Sequence, residues 1–558
     1  MLEEPVHQTL SECDLLENEM PVSRREIADG LVGAAAHAGT RFAFGVPGGG
    51  SNLDVAGACE RHGVRFVLTH LEGSAALMAG VIGELTGSPG IAVGTRGPGA
   101  TAAANGVANA LLERSPMIMV NDCVLESDSD RVSHQRIDQT DLFESIALAA
   151  GRLNGQDPNV YADLVGATIQ QPPGPVQIDV DPTATGPYRI DRPAPDNEDA
   201  GSITALLRDS KRPLIIAGQG ILTLPVESRG SVIASLRELA ARTHTPVLTT
   251  YKARGVVADD AEYAGGIVTG GTVESHALRD ADLIIGIGLD PVELLPTEWR
   301  YDAPTVVANP WMINDAAYFG SSLAHCYSTD LHAFIQQLDE CLITEWQPGS
   351  GRVYQDILRS AALVESDQSM DALSPAEVVT IASRICPRPA TATVDAGAHM
   401  LVAMPLWEVS EPQRLLISSS HATMGYSLPA AIAASLVRPT EPVVCFTGDG
   451  GLGMVLAELE TLARLQLPVV VIVFNDSLLS LIAVKQSPVD QGGRDVVAYG
   501  ETDFAAIARA CGVEAWTVSD KIGYEAALQS ALSSGRPALI DVATDPSSYG
   551  AVFAALRE

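Results

Sequence analysis

The sequence predicts an α/β protein of three domains, each built on a parallel sheet, and three observations carry that prediction. Strand-like β-branched runs alternate with helical runs through most of the 558 residues, the pattern of helices laid over parallel sheets. The length is several times a single-domain prior of ~150 residues. The stretch PVVCFTGDGGLGMVLAELETLARLQLPVVVIVFNDSLLSL, from Pro442 to Leu481, reads as one βαβ unit. Its right-handed crossover makes the two strands parallel neighbours.

Taken in order, residues 1–20 carry Glu3, Glu4, Glu12, Asp14, Glu17 and Glu19 and are expected to form a partly ordered acidic tail. The first domain is placed at 21–190. It holds the strand RFVLTH, the small-residue helix LEGSAALMAGVIGEL and the strand–loop–helix GIAVGTRGPGATAAANGVANALLE, and it ends on GPVQIDV before a Pro- and Asp-rich linker. The second domain, 200–345, has strands at PLIIAG, PVLTT, LIIGIG and TVVAN. The third, 370–558, contains the βαβ unit, where helical periodicity is read through Met454, Leu456, Leu459, Leu462 and Leu465. First and third domains end alike, on PVQIDVDP and PALIDVATDP, which points to a duplicated domain.

Composition narrows the function. Hydrophobic content of 46% and charged content of 19% describe a globular chain with ample core. A net charge of −34 argues against nucleic acid and anionic membrane as partners. No apolar run reaches the length of a membrane span, and the acidic start is not a signal peptide. Eight cysteines without a CxxC pair speak for a reducing cytoplasm and against a zinc site.

The carboxyl ends of the predicted strands gather the chemistry. Asp449 and Asp476 fall at the ends of adjacent strands, where open α/β sheets bind ligands. Beside Gly448, Gly450 and Gly451 they suit Mg²⁺ carrying a diphosphate; the competing reading is a helix cap and a turn aspartate. Glu72 falls at a strand-to-helix junction. It is either a carboxylate favoured by the helix dipole or an acid/base group in an apolar site. His134 and Gln135 precede an amphipathic helix in a polar stretch, where a lone histidine is more often a surface residue. Gly218-Gln219-Gly220 is an incomplete dinucleotide fingerprint, so the second domain binds an adenine nucleotide or serves as a spacer, the preferred reading. Gly397, Ala422 and Met424 lie at two further strand–turn–helix junctions; Met424 is either core or a wedge bending a two-ring cofactor.

Together these segments resemble the thiamine diphosphate-dependent enzymes of the acetolactate synthase, benzaldehyde lyase and 2-oxo acid decarboxylase group. FGVPGG, the glutamate of HLEG, GTRGPGAT, TTYKARG, TMGYSLPAA and GDG occur in the family's order over nearly the whole chain. The resemblance implies pyrimidine-binding, central and diphosphate-binding domains. It implies that Glu72 hydrogen-bonds the aminopyrimidine and promotes the tautomer that removes the thiazolium C2 proton. Met424 would bend the cofactor, while the carbonyl of Ala422 and the N–H of Met424 hold the pyrimidine edge. Gly397, Gly448, Gly450 and Gly451 would approach the diphosphate. Asp449, Asp476 and the Leu478 carbonyl would bind Mg²⁺. His134 and Gln135 match the catalytic pocket segment; Leu479, Leu481 and Ile482 would line the substrate side, under a lid at Gln486–Gly500.

The departures also carry expectations. Asp476 stands where most relatives have asparagine, and Ala102 where many do, so that polar contact is either lost or moved to Asn105. The paired histidines of pyruvate decarboxylase-type enzymes are absent, favouring carboligation or lyase chemistry on small carbonyl substrates. FAD is not predicted. Because this family assembles each cofactor site between domains of two chains, a homodimer or homotetramer is expected. The expected activity is 2-oxo acid decarboxylation with carboligation. A lyase, a simple decarboxylase and a non-catalytic cofactor-binding paralogue are the alternatives.

Overall fold

A computed structural model describes residues 22–190, 203–364, 372–486 and 496–557. The acidic tail and most of the predicted lid (487–495) lie outside them. Three six-stranded sheets, every pairing parallel, make up the α/β architecture predicted.

The first sheet comprises β1 (Phe42–Gly45), β2 (Arg65–Leu68), β3 (Gly90–Gly94), β4 (Met117–Asn121), β5 (Ala149–Leu153) and β6 (Pro175–Val180), in the order β2-β1-β3-β4-β6-β5. The second holds β7 (Pro213–Ala217), β8 (Val247–Thr249), β9 (Ala264–Ile267), β10 (Leu283–Ile287), β11 (Thr305–Asn309) and β12 (Leu323–Ser328), in the order β12-β11-β10-β7-β8-β9. The third has β13 (Thr391–Val394), β14 (Leu415–Ile417), β15 (Val443–Gly448), β16 (Val469–Asn475), β17 (Glu514–Val518) and β18 (Ala538–Ala543), in the order β14-β13-β15-β16-β18-β17. Numbered from its own first strand, the third sheet repeats the order of the first, the internal likeness that the paired sequence endings announce.

β15 and β16 are parallel neighbours, with Gly448 opposite Phe474. The connection between them differs from the single helix the periodicity predicts. Helices span Asp449–Met454 and Glu458–Arg464, and Val455 leaves helical geometry at φ −130°. Three glycines in the first six residues weaken the helix. Leu459 and Leu462 are buried, whereas Met454 is 54% exposed.

The first and third sheets share one apolar cluster, built where helices Glu72–Thr86 and Ser427–Val437 meet. Small residues allow the close approach. A side chain at Gly83 would overlap the Pro116 backbone, so only glycine lets this helix sit down on the segment entering β4.

The second sheet has the strand order of dinucleotide-binding folds, with its switch point between β7 and β10. There the chain fills its own crevice. The buried carboxylate of Glu293 accepts from the N–H of Gln219 at 3.0 Å and of Asp290 at 3.4 Å, and from the Thr250 hydroxyl. Side chains at Gly218 or Gly220 would overlap Gly288 and Asn309. The loop read as a partial fingerprint thus cradles a carboxylate of its own chain. Burial pushes Glu293 up to about 8, outweighing these donors. Its raised pKa means that the unfolded chain releases this proton first, so stability falls as pH rises from the ordinary carboxylate range through about 8. Glu293→Gln should flatten that fall, as urea midpoints at pH 5 and pH 8 would measure.

Candidate active site

The carboxyl edge of the third sheet opens into a cavity of about 220 Å³. Its wall includes Gly397, Ala422, Met424, Gly448, Asp449, Gly450, Gly451, Asp476, Leu478, Leu479, Leu481 and Ile482, so it brings together most of the residues singled out in the sequence.

Asp449 and Asp476 converge through the loop after β16. The Leu478 N–H donates to Asp449 Oδ2 at 3.2 Å and to Asp476 Oδ1 at 3.1 Å. Both carboxylates therefore face one point. Asp449 also accepts from Gly450 N–H at 2.6 Å, and Asp476 from the Ser480 hydroxyl at 2.5 Å. Burial raises the pKa of both, and the facing Asp449 helps to push Asp476 up to about 7. Among the described residues lining the cavity there is no lysine or arginine. Two close carboxylates without a cationic side chain form a donor set for a hard divalent cation. Among the described residues no cluster of three or more His, Cys, Asp or Glu is placed to hold a metal. A cation here would complete its shell from a carbonyl, water and phosphate.

Strained backbone adjoins the cavity at two points. Ala422 and Ser477, which lies between Asp476 and Leu478, have φ of +54° and +56°, a conformation that costs a non-glycine residue about 1–3 kcal/mol. The loop carrying Ala422 is gripped by the first domain of the same chain. Asn105 Nδ2 donates to the Thr423 hydroxyl at 2.8 Å, and Asn105 Oδ1 meets His421 Nε2 at 3.1 Å. Glu113 Oε1 accepts from the N–H groups of Ser420 and His421 at 2.8 and 3.2 Å.

Two residues escaped the sequence reading. Asp395, at the end of β13, is fully buried. It accepts from Gly425 N–H at 2.9 Å, the Ser427 hydroxyl at 3.2 Å and the Thr447 hydroxyl at 3.1 Å, tying the end of β13 to the Gly425–Ser427 segment and to β15. Its only signal was an acidic residue closing a strand. His399 stacks on Phe474 at 5.2 Å and lines the cavity, 4% exposed, with Nε2 unpartnered. Burial pulls its pKa down to about 4, against a hydrogen bond to the Asp395 backbone, leaving a neutral ring. Its position two residues after Gly397 was the available clue.

Glu72, His134 and Gln135 are absent from this wall. Glu72 opens its helix half-buried at the edge of the first sheet, its pKa raised by burial, and one of its oxygens lies against Gly99 in the glycine-rich loop. His134 and Gln135 are exposed. Gln135, at φ +57°, packs its backbone against Gly97. Within the single chain these three residues therefore lie apart from the cavity.

Comparison with known proteins assigns the domains that carry these residues. Residues 25–142 match the thiamine pyrophosphate enzyme N-terminal TPP binding domain, 201–309 the central domain and 395–542 the C-terminal TPP binding domain. The chain belongs to the thiamine pyrophosphate enzyme family. It is 28% identical to an acetolactate synthase of Bacillus subtilis over 559 residues, covering 93% of each chain. It is 27% identical to the acetolactate synthase isozyme 2 large subunit of Escherichia coli over 539 residues, covering 93% of this chain and 95% of that one. The thiamine diphosphate-dependent 4-hydroxybenzoylformate decarboxylase of Rhodococcus jostii RHA1 shares the fold, with a TM-score of 0.78 at 19% identity over 94% of this chain and 99% of that one. This is a thiamine diphosphate-dependent enzyme, similar to acetolactate synthases. Its three sheets are the three domains of the thiamine pyrophosphate enzyme fold.

Proposed function

We propose that the enzyme decarboxylates a 2-oxo acid and joins the remaining acyl unit to a second carbonyl compound, using thiamine diphosphate and Mg²⁺. The observation that carries this reading is the convergence of Asp449 and Asp476 on one cavity whose remaining wall is apolar. The bound cofactor supplies an electron sink for the carbanion left when CO₂ departs.

In this reading Asp449, Asp476 and the Leu478 carbonyl hold Mg²⁺. Gly397, Gly448, Gly450, Gly451 and His399 Nε2 surround the diphosphate. The Ala422 carbonyl and Met424 N–H hold the pyrimidine edge, with the Met424 side chain beneath the bend. Leu479, Leu481 and Ile482 exclude water on the substrate side. Glu72 of a second copy moves the proton at the pyrimidine nitrogen, with His134 and Gln135 closing the pocket beside it. The assembly is thus a homodimer or a dimer of dimers, its sites shared between chains. No flavin is included, since Glu293 fills the central crevice where a dinucleotide would lie. Seven free cysteines among the described residues accord with a cytoplasmic location, and no described helix is long and apolar enough to cross a membrane.

The test is a panel of 2-oxo acids assayed for CO₂ release and for C–C products, with and without aldehyde or 2-oxo acid acceptors. CO₂ release without any ligated product would reduce the reading to a simple decarboxylase. No turnover of any 2-oxo acid by cofactor-loaded enzyme would refute it. His399→Phe retains the stacked ring and removes its polar nitrogens. It should weaken thiamine diphosphate binding roughly tenfold, the worth of about one hydrogen bond, as a circular-dichroism titration would read.

A further inference from the structure

Between the first and second domains lies a separate cavity of about 280 Å³. Its buried wall carries Glu84, Glu113, Lys252 and Gln219, and its outer wall the half-exposed Ile169 and Val226. Lys252 Nζ lies 2.7 Å from Glu84 Oε2, 3.3 Å from Glu113 Oε2 and 3.3 Å from the Ile417 carbonyl. Glu84 and the Ile417 carbonyl accept hydrogen bonds from it, so one ammonium serves two buried carboxylates and Glu113 Oε2 is left without a hydrogen-bond partner. Arg114, also on the wall, is paired with Asp290 at 2.9 Å. Arg229, which does not line the cavity, donates to the Leu222 carbonyl. Burial raises the Glu113 pKa against the opposing pull of Lys252, and the neighbouring Glu84 charge adds to the rise.

Gln219 is a second, independent sign. It is 2% exposed and lines the cavity, yet neither its amide nitrogen nor its amide oxygen has a hydrogen-bond partner. Buried polar groups are seldom left so. Its backbone N–H serves Glu293, so the loop of the filled crevice turns an unused amide toward this neighbouring space.

We propose that this cavity is a regulatory site for a small primary amine with a short aliphatic tail. The ammonium supplies the missing charge, donating to Glu84, Glu113 and the Gln219 oxygen, and the tail rests on Ile169 and Val226. Glu113 couples the cavity to the cofactor pocket. Its other oxygen grips the N–H groups of Ser420 and His421, next to Ala422, so an ammonium on the same carboxylate weakens or tightens that grip. This coupling, unlike the binding itself, rests on Ala422 holding the pyrimidine.

The probe is n-butylammonium, with n-butanol as its uncharged counterpart, titrated calorimetrically into the full chain without cofactor. One saturable site per chain is expected for the amine and none for the alcohol. Gln219→Leu and Glu84→Gln should each weaken amine binding by about tenfold or more. Two variants are used because Glu84→Gln alters the three-residue ion cluster on which folding depends, whereas Gln219→Leu breaks no side-chain hydrogen bond. No amine binding, or equal binding by wild type and Gln219→Leu, overturns the site and leaves a water-filled space. With the amine bound, the dissociation constant for thiamine diphosphate should move several-fold; a constant unmoved by saturating amine overturns the regulatory role. Absence of thiamine diphosphate binding in amine-free protein would instead count against the reading of the cofactor pocket, which the calorimetry does not use.

Discussion

Glu72→Gln is expected to lower turnover by about 10²–10⁴-fold, the range contributed by a positioned acid or base, while saturable binding of thiamine diphosphate persists. The carboxylate opens helix Glu72–Thr86 half-buried, with its pKa raised by desolvation. A raised pKa brings it nearer neutrality, where a group can both hold and release a proton. Glutamine keeps the length and the hydrogen-bonding head but cannot exchange that proton. The decisive measurement is hydrogen–deuterium exchange at the cofactor's C2 carbon, followed by NMR after acid quench. Exchange at the wild-type rate in the variant would remove Glu72 from the chemistry.

The second large effect concerns the metal. Asp449→Ala should weaken Mg²⁺-dependent cofactor binding by more than about 100-fold, beyond the loss typical of an outer-shell partner. The substitution removes one of two carboxylates sharing the Leu478 N–H, and no lysine or arginine on the described wall could take over the diphosphate charge. Asp476→Asn is the informative control. It keeps an oxygen toward the cation and removes one charge, so it should retain most of the binding that Asp449→Ala loses. Equal binding of thiamine diphosphate and Mg²⁺ by wild type and Asp449→Ala would dismiss the metal assignment.

What could be read from the sequence depended on how local its cause was. β15 and β16 were visible because strands covered on both faces are continuous apolar runs, and their pairing follows from the crossover. β9 and β12 were missed. The short glycine-bearing AGGI and the polar-interrupted LAHCYS are edge strands, and β12 is only partly buried, so neither needs a continuous apolar run. The two aspartates of the metal reading announced themselves by position at strand ends. Glu293 did not, because two of its three donors sit 43 and 74 residues away. His399 and Asp395 were hidden for the same reason: their meaning lies in loops brought together only by the sheet. The glycine-rich helix start also misled, since periodicity counts Met454 with the core while the backbone breaks just beyond it.

The placement of Glu72 outside the cavity that holds Asp449 has a genetic consequence. If each working site takes Glu72 from one chain and Asp449 from the other, two dead variants are not equivalent defects. Co-expressed Glu72→Gln and Asp449→Ala chains would pair at random, and half of the dimers would be mixed. Each mixed dimer would carry one site with both residues intact and one with neither, restoring about one quarter of wild-type activity in a two-fold assembly. A lesion in this enzyme could thus be recessive, silent or rescued according to which half of the chain it strikes in each of two alleles.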